Sequence, residues 1–131
     1  EEKLKLKEDS DKKFLETNIR FLEDQKVPKV GLSWHDDLLQ LHRRCEFKAG
    51  YFVELQDVAK NFGIKDMSLQ KLYANLFHQK ISKAQRLSNW EANELRDSQC
   101  LYAATDAWCC INLYEEFNRL TQTGDYEIDE L

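Results

Sequence analysis

The chain has 131 residues, enough for one domain with a single core, and its 42% hydrophobic and 33% charged residues, one Pro and four Gly are those of a globular protein. A formal net charge of −5 argues against gripping nucleic acid by bulk positive charge, but not against an acidic cluster neutralised by divalent cations. No apolar run approaches the roughly 18 residues that cross a bilayer, and no charged-then-apolar leader is present, so a soluble intracellular protein with no membrane partner is expected.

Residues 1–13 are dense in charge, with only Leu4 and Leu6 to bury, as an edge strand or a solvated lead-in. From Ser10 or Asp11 a helix is expected, with Phe14, Leu15, Asn18, Phe21 and Leu22 at helical intervals, closed by Pro28. Lys29 to Trp34 reads as a short buried strand, and His35 to Arg44 as a helix with Asp36 and Asp37 in its first turn, where the helix dipole favours acids. A strand feeding a helix is half of a β-α-β unit, and ligands of open α/β folds gather at that edge, where Asp37 lies. Tyr51 to Leu55 predicts a second strand, Gln56 to Asn61 a brief helix stopped by Gly63, and Ser68 the N-cap of a helix through Phe77.

A basic loop, His78 to Leu87, then leads to Ser88-Asn89-Trp90. Lys80, Lys83 and Arg86 either touch phosphate or belong to a solvated loop that Trp90 anchors in the core. The last helix is expected over 97–120, followed by a loose acidic tail, 121–131. Cys45, Cys100, Cys109 and Cys110 lack C-x-x-C spacing and read as reduced thiols, the last two as small core residues.

On that last helix Tyr102, Asp106, Cys109, Cys110, Leu113, Phe117 and Leu120 fall within an arc of about 100°, the width of a core-facing stripe. A carboxylate on such a face loses its hydration and must find a cation, a metal or donated hydrogen bonds, or take up a proton. Tyr102, one turn earlier, can reach the same spot. The plainer alternative is an Asp satisfied by one hydrogen bond beside an ordinary core Tyr.

Lys29-Val30-Gly31, Asp37-x-x-x-Leu41, Leu55-Gln56, Ser68-Leu69, Lys83, Ser88-Asn89-Trp90, Gln99 and Tyr102-Ala103-Ala104-Thr105-Asp106-Ala107 stand in one consistent order. In that order they resemble the latter part of a DEDD-type 3′-5′ exonuclease domain, in the Tyr-containing branch that includes ribonuclease D and the Werner-syndrome exonuclease. The resemblance runs from about Phe14 to Leu120. It implies an α/β, ribonuclease H-like fold, here a largely helical partial domain with one or two short parallel strands. It implies two divalent cations, Mg²⁺ or Mn²⁺, and single-stranded or frayed 3′ ends of DNA or RNA as substrate. By position Asp37 and Asp106 match metal-binding carboxylates and Tyr102 the phenol that orients the attacking water, with Asp36 the competing choice for Asp37.

The family's opening Asp-x-Glu strand has no match upstream of Lys29; the chain's one Asp-x-Glu, Asp125-Tyr126-Glu127, follows the last helix. Two carboxylates offset half the charge of two divalent ions. The chain therefore reads as one incomplete exonuclease domain, inactive alone, completed by an N-terminal segment or a partner chain.

Overall fold

The computed structural model of the chain describes Lys13 and residues 16–128. The expected lead-in with Leu4 and Leu6, the helix start at Ser10 or Asp11, the side chains of Phe14 and Leu15, and residues 129–131 of the tail lie outside the described residues. The chain divides into two compact units between Val53 and Glu54.

In the first unit, residues 16–23 are helical (α1), as the spacing of Asn18 and Leu22 predicts, although Phe21 is more than half exposed. Asp24 ends this helix by accepting the N–H groups of Lys26 and Val27 on Oδ1, at 2.7 and 3.0 Å, and these backbone bonds hold its carboxyl below the usual range. Two short parallel strands follow, β1 (Lys29–Gly31) and β2 (Phe52–Glu54). Lys29 is 6% exposed, which demands compensation for its ammonium. Its Nζ donates to the Asp24 carbonyl at 2.6 Å and lies over the rings of Phe21 and Phe52, 5.5 and 5.2 Å from their centroids.

Gly50 is fixed by close approach: its N–H donates to the Leu22 carbonyl, Tyr51 N–H donates to that of Asp24, and any Cβ at position 50 would run into the Asp24 carbonyl. β1 is shorter than the run to Trp34 predicts, because Ser33 adopts a left-handed conformation (φ 61°) that turns the chain into α2 (Trp34–His42). Trp34 thus opens the helix, edge-on to Phe52 at 4.9 Å. The helix stops before Arg43 and Arg44: the Arg43 N–H still makes a helical bond to Leu39, and the Arg44 N–H bonds in a tightened turn to Leu41.

The second unit is helical. Glu54 accepts the Gln56 N–H at 3.2 Å and so starts α3 (Leu55–Lys60) one residue earlier than the sequence pattern predicts, taking Leu55 out of the strand. Ser68 caps α4 (Leu69–Phe77) by accepting the Lys71 N–H at 3.3 Å, as expected. The last helix, α5 (Asp97–Thr123), packs against both α3 and α4. Leu55, Ala59, Leu72, Tyr73, Cys109, Leu113 and Phe117 are all less than 5% exposed and form the core. Of the predicted stripe, Cys109, Cys110, Leu113, Phe117 and Leu120 are buried, and Tyr102 and Asp106 are half-buried.

α5 runs three residues beyond its expected end at Leu120, to Gly124, whose positive φ of 67° and N–H bond to Leu120 close it. Beyond it, Tyr126 sets its ring 4.7 Å from that of Phe62, which itself lies 4.9 Å from Phe117. Among the described residues no helix is long and apolar enough to cross a membrane.

Candidate active site

Tyr102 and Asp106 project from the same side of α5, four residues apart, where the core stripe passes from fully to partly covered. Asp106 Oδ1 is buried and accepts no hydrogen bond among the described residues. Burial pushes its carboxyl above the ordinary range. Burial, and then the charge of Asp106, raise the Tyr102 phenol, which stays a neutral hydroxyl able both to donate and to accept. The same two effects raise Cys109, and Cys110 is pushed up to about 11. The plainer alternative, an Asp satisfied by one hydrogen bond, does not describe Oδ1. An orphaned anionic oxygen of this kind fits a hard cation, which takes oxygen ligands.

The segment before α5 is tied to the helix by one side chain. Gln99, 2% exposed, accepts the Arg96 N–H on Oε1 at 2.9 Å, closing one half of a capping box. Its Nε2 donates to Ser88 Oγ at 2.9 Å and to the Asn89 carbonyl at 3.1 Å. Ser88 Oγ in turn donates to the Gln85 carbonyl at 2.6 Å. Trp90 Nε1 reaches the Gln85 and Arg86 carbonyls at 3.1 and 3.2 Å, and the indole lies 6.0 Å from the Tyr102 ring. Trp90 is thus not anchored in the core; at 38% exposure it is held by its N–H against the loop and forms a wall beside Tyr102. The clamping role of Gln99 is not evident from sequence, although a Gln three residues past a helix start is its visible sign.

Lys80, Lys83 and Arg86 are exposed on the loop between α4 and α5. Lys80 and Lys83 line one groove together with Lys71 of α4. The charge of Arg86 reaches Tyr102 and acts to lower its phenol, against the larger effect of burial. The structure thus brings Tyr102 and Asp106 together, sets the charge of Arg86 within reach of Tyr102, and brings Lys80 to Lys83. Asp37, like Asp36, is exposed in the first turn of α2 and belongs to the first unit. Among the described residues no group of three or more His, Cys, Asp or Glu side chains is placed to hold a metal ion.

Short parallel strands followed along the chain by helices belong to an α/β, ribonuclease H-like fold. The exonuclease domain of Nibbler from Aedes aegypti matches it with a TM-score of 0.69 at 20% identity, over 77% of this chain and 56% of that one. A family model described as 3′-5′ exonuclease matches residues 2–122, and the chain belongs to that family, the one its motif order indicates. It is 34% identical over 107 residues to the bifunctional 3′-5′ exonuclease/ATP-dependent helicase WRN of Mus musculus, covering 79% of this chain and 8% of that protein. It is 32% identical over 100 residues to exonuclease 3′-5′ domain-containing protein 2 of Drosophila melanogaster, covering 75% of this chain and 17% of that protein. The chain therefore spans a small part of the curated relatives it matches.

Proposed function

We propose that this chain is the C-terminal part of a 3′-5′ exonuclease domain that removes nucleotides from nucleic-acid 3′ ends. Asp37 and Asp106 are the metal-binding carboxylates contributed by this part, and Tyr102 positions the attacking water. The reading is carried by the buried Asp106 Oδ1, unbonded among the described residues, one turn from a neutral phenol in a chain of this family.

Two divalent cations, Mg²⁺ or Mn²⁺, would supply counter-charge for the phosphoryl transition state and a more acidic water when bound. Asp106 offers an anionic oxygen already stripped of hydration, so binding a cation relieves a penalty instead of incurring one. Tyr102, held as the neutral phenol, accepts from or donates to a water beside it without adding charge. Trp90 shields that phenol on one side. The remaining carboxylates come from an Asp-x-Glu strand outside these 131 residues, so this chain alone is inactive.

Degradation of 5′-labelled single strands with Mn²⁺ tests this. The 131-residue chain leaves the strands intact; a longer protein that includes the upstream strand shortens them from the 3′ end; Asp106→Asn in that longer protein abolishes shortening. Wild-type turnover by the Asn variant would remove Asp106 from the site. A second reading, a catalytically inactive nucleic-acid-binding or protein-interaction module of the same fold, draws on the lack of a group of three or more His, Cys, Asp or Glu among the described residues. Binding without cleavage by the longer protein would select it.

A further inference from the structure

Two grooves of ≈ 250 Å³ each lie on the second unit and share one lining residue, Ile81. The first is floored by Gln70, Ala74 and Ile81 and rimmed by Lys71, Lys80 and Lys83. The second continues from Ile81 past Gln85 and Leu101 to Tyr102. The two grooves meet at Ile81: the one on α4 is edged by lysines, and the one that reaches the phenol of the candidate site is apolar and carries none. The charge of this stretch stands out against the whole: residues 65–90 carry five Lys or Arg and one acidic side chain, in a chain whose net charge is −5. Beyond Lys71 the adjoining depression is of mixed charge, with Asp66 and Glu127 beside Lys65.

The geometry points to these joined grooves as the track of a single nucleic-acid strand, its 3′ end at Tyr102 and its preceding phosphates on Lys83, Lys80 and Lys71. The inference rests on the exonuclease reading for the end of the strand and adds its route, its polarity and Lys71. Lysine rims receive phosphates, and Tyr102 at the end of the second groove is the one aromatic side chain among the lining residues on which a base could stack. Beyond Lys71 the two acids offset Lys65, so the uninterrupted lysine row, and with it the track, ends at Lys71. Lys71 N–H serves the Ser68 cap through the backbone, so replacing its side chain leaves α4 capped.

The test is anisotropy of a labelled single-stranded oligonucleotide on the longer protein carrying Asp106→Asn, without divalent cations, as a function of salt. Lys71→Ala/Lys80→Ala/Lys83→Ala together should weaken binding on the order of ten-fold and reduce the log–log salt slope by about 0.7 for each phosphate left without its lysine. The Arg triple variant should keep the slope. A photoreactive base at the 3′ terminus should label peptides around Tyr102, and one placed several nucleotides inward should label peptides around Lys71. An unchanged slope, or crosslinks in the reverse order, overturns the track while leaving the Asp106 assignment to its own activity test. Loss of activity on Asp106→Asn with no effect of the lysines on binding would keep the exonuclease reading and reject this one.

Discussion

Asp106 stands one turn beyond Tyr102 on α5, and its carboxylate adds to burial in raising the Tyr102 phenol, while burial raises its own carboxyl. Both groups sit where an anion is disfavoured, and no hydrogen bond among the described residues satisfies Asp106 Oδ1. A core built for stability alone would place an apolar residue there. A carboxylate kept in spite of its cost is the mark of a site where function outweighs stability.

That trade gives the first prediction. Asp106→Asn should stabilise the metal-free chain by about 1 kcal/mol near neutral pH, a few degrees in Tm. A raised folded-state pKa means that the stability linked to this group is present below the ordinary carboxylate range and lost as pH rises through the raised value. The Asn variant should therefore gain most at about pH 8 and lose its advantage towards about pH 4. Thermal denaturation of both proteins across that range decides it, and an equal Tm at every pH would mean that Asp106 carries no buried charge.

Addition of Mn²⁺ supplies a second prediction with a different readout. In the longer protein a cation bound by Asp106 should raise Tm with concentration, by mass action on the folded state. The Asn variant should respond less, because one ligand is gone. If both proteins gain the same increment from Mn²⁺, the cation binds somewhere else.

Gln99 concentrates three hydrogen bonds in one buried amide. Gln99→Leu keeps the volume but leaves the Arg96 N–H and the Ser88 and Asn89 groups to find water or stay unpaired, a cost of about 1–3 kcal/mol. It should also loosen Trp90 against Tyr102, visible as a red shift of tryptophan emission and, in the longer protein, as lower turnover. Ser88→Ala removes one of the amide's three partners, together with the hydroxyl's own bond to the loop carbonyl of Gln85, and should cost about 1 kcal/mol. Urea unfolding of the two variants gives the comparison, and equal losses would show that the amide is not the hub.

Much of this was legible because it rests on local chemistry. Ser68 announces α4, and the Tyr102 to Leu120 spacing announces which face of α5 is covered. What sequence could not show depends on contacts between segments. The shortened β1 follows from a left-handed Ser33, a conformation whose only sequence hint is a small polar residue. The burial of Lys29 needs two rings and a carbonyl supplied by Phe21, Phe52 and Asp24. Trp90 reads as core from its size alone, and only its N–H bonds to Gln85 and Arg86 explain why it stays near the surface.

The glycines separate two causes of strain. Gly50→Ala forces a Cβ into the Asp24 carbonyl, a backbone atom held by the Tyr51 N–H, so the first unit must shift; the cost should exceed about 2 kcal/mol. Gly124→Ala meets nothing within 4 Å and suffers only its positive φ, about 1 kcal/mol. Chemical denaturation ranks them, and a milder loss at Gly50 than at Gly124 would contradict the packing of Gly50 on Asp24.

The cysteines turn the core stripe into a probe of its own opening. Cys100 is exposed, whereas Cys109 and Cys110 are buried beside Asp106, and all four thiols are free. With the Cys110 thiol pushed up to about 11, roughly one molecule in a thousand carries its thiolate at about pH 8. A disulfide reagent at that pH should therefore modify Cys100 at the rate of a small thiol. Cys109 and Cys110 should wait for unfolding, and their rate should rise with denaturant as the folded population falls. In the Asp106→Asn variant the neighbouring charge is gone and thiolate formation is easier, yet labelling should become slower, because the more stable fold opens less often. Faster labelling of Cys109 and Cys110 in that variant would mean that ionisation, not opening, controls access to this part of α5.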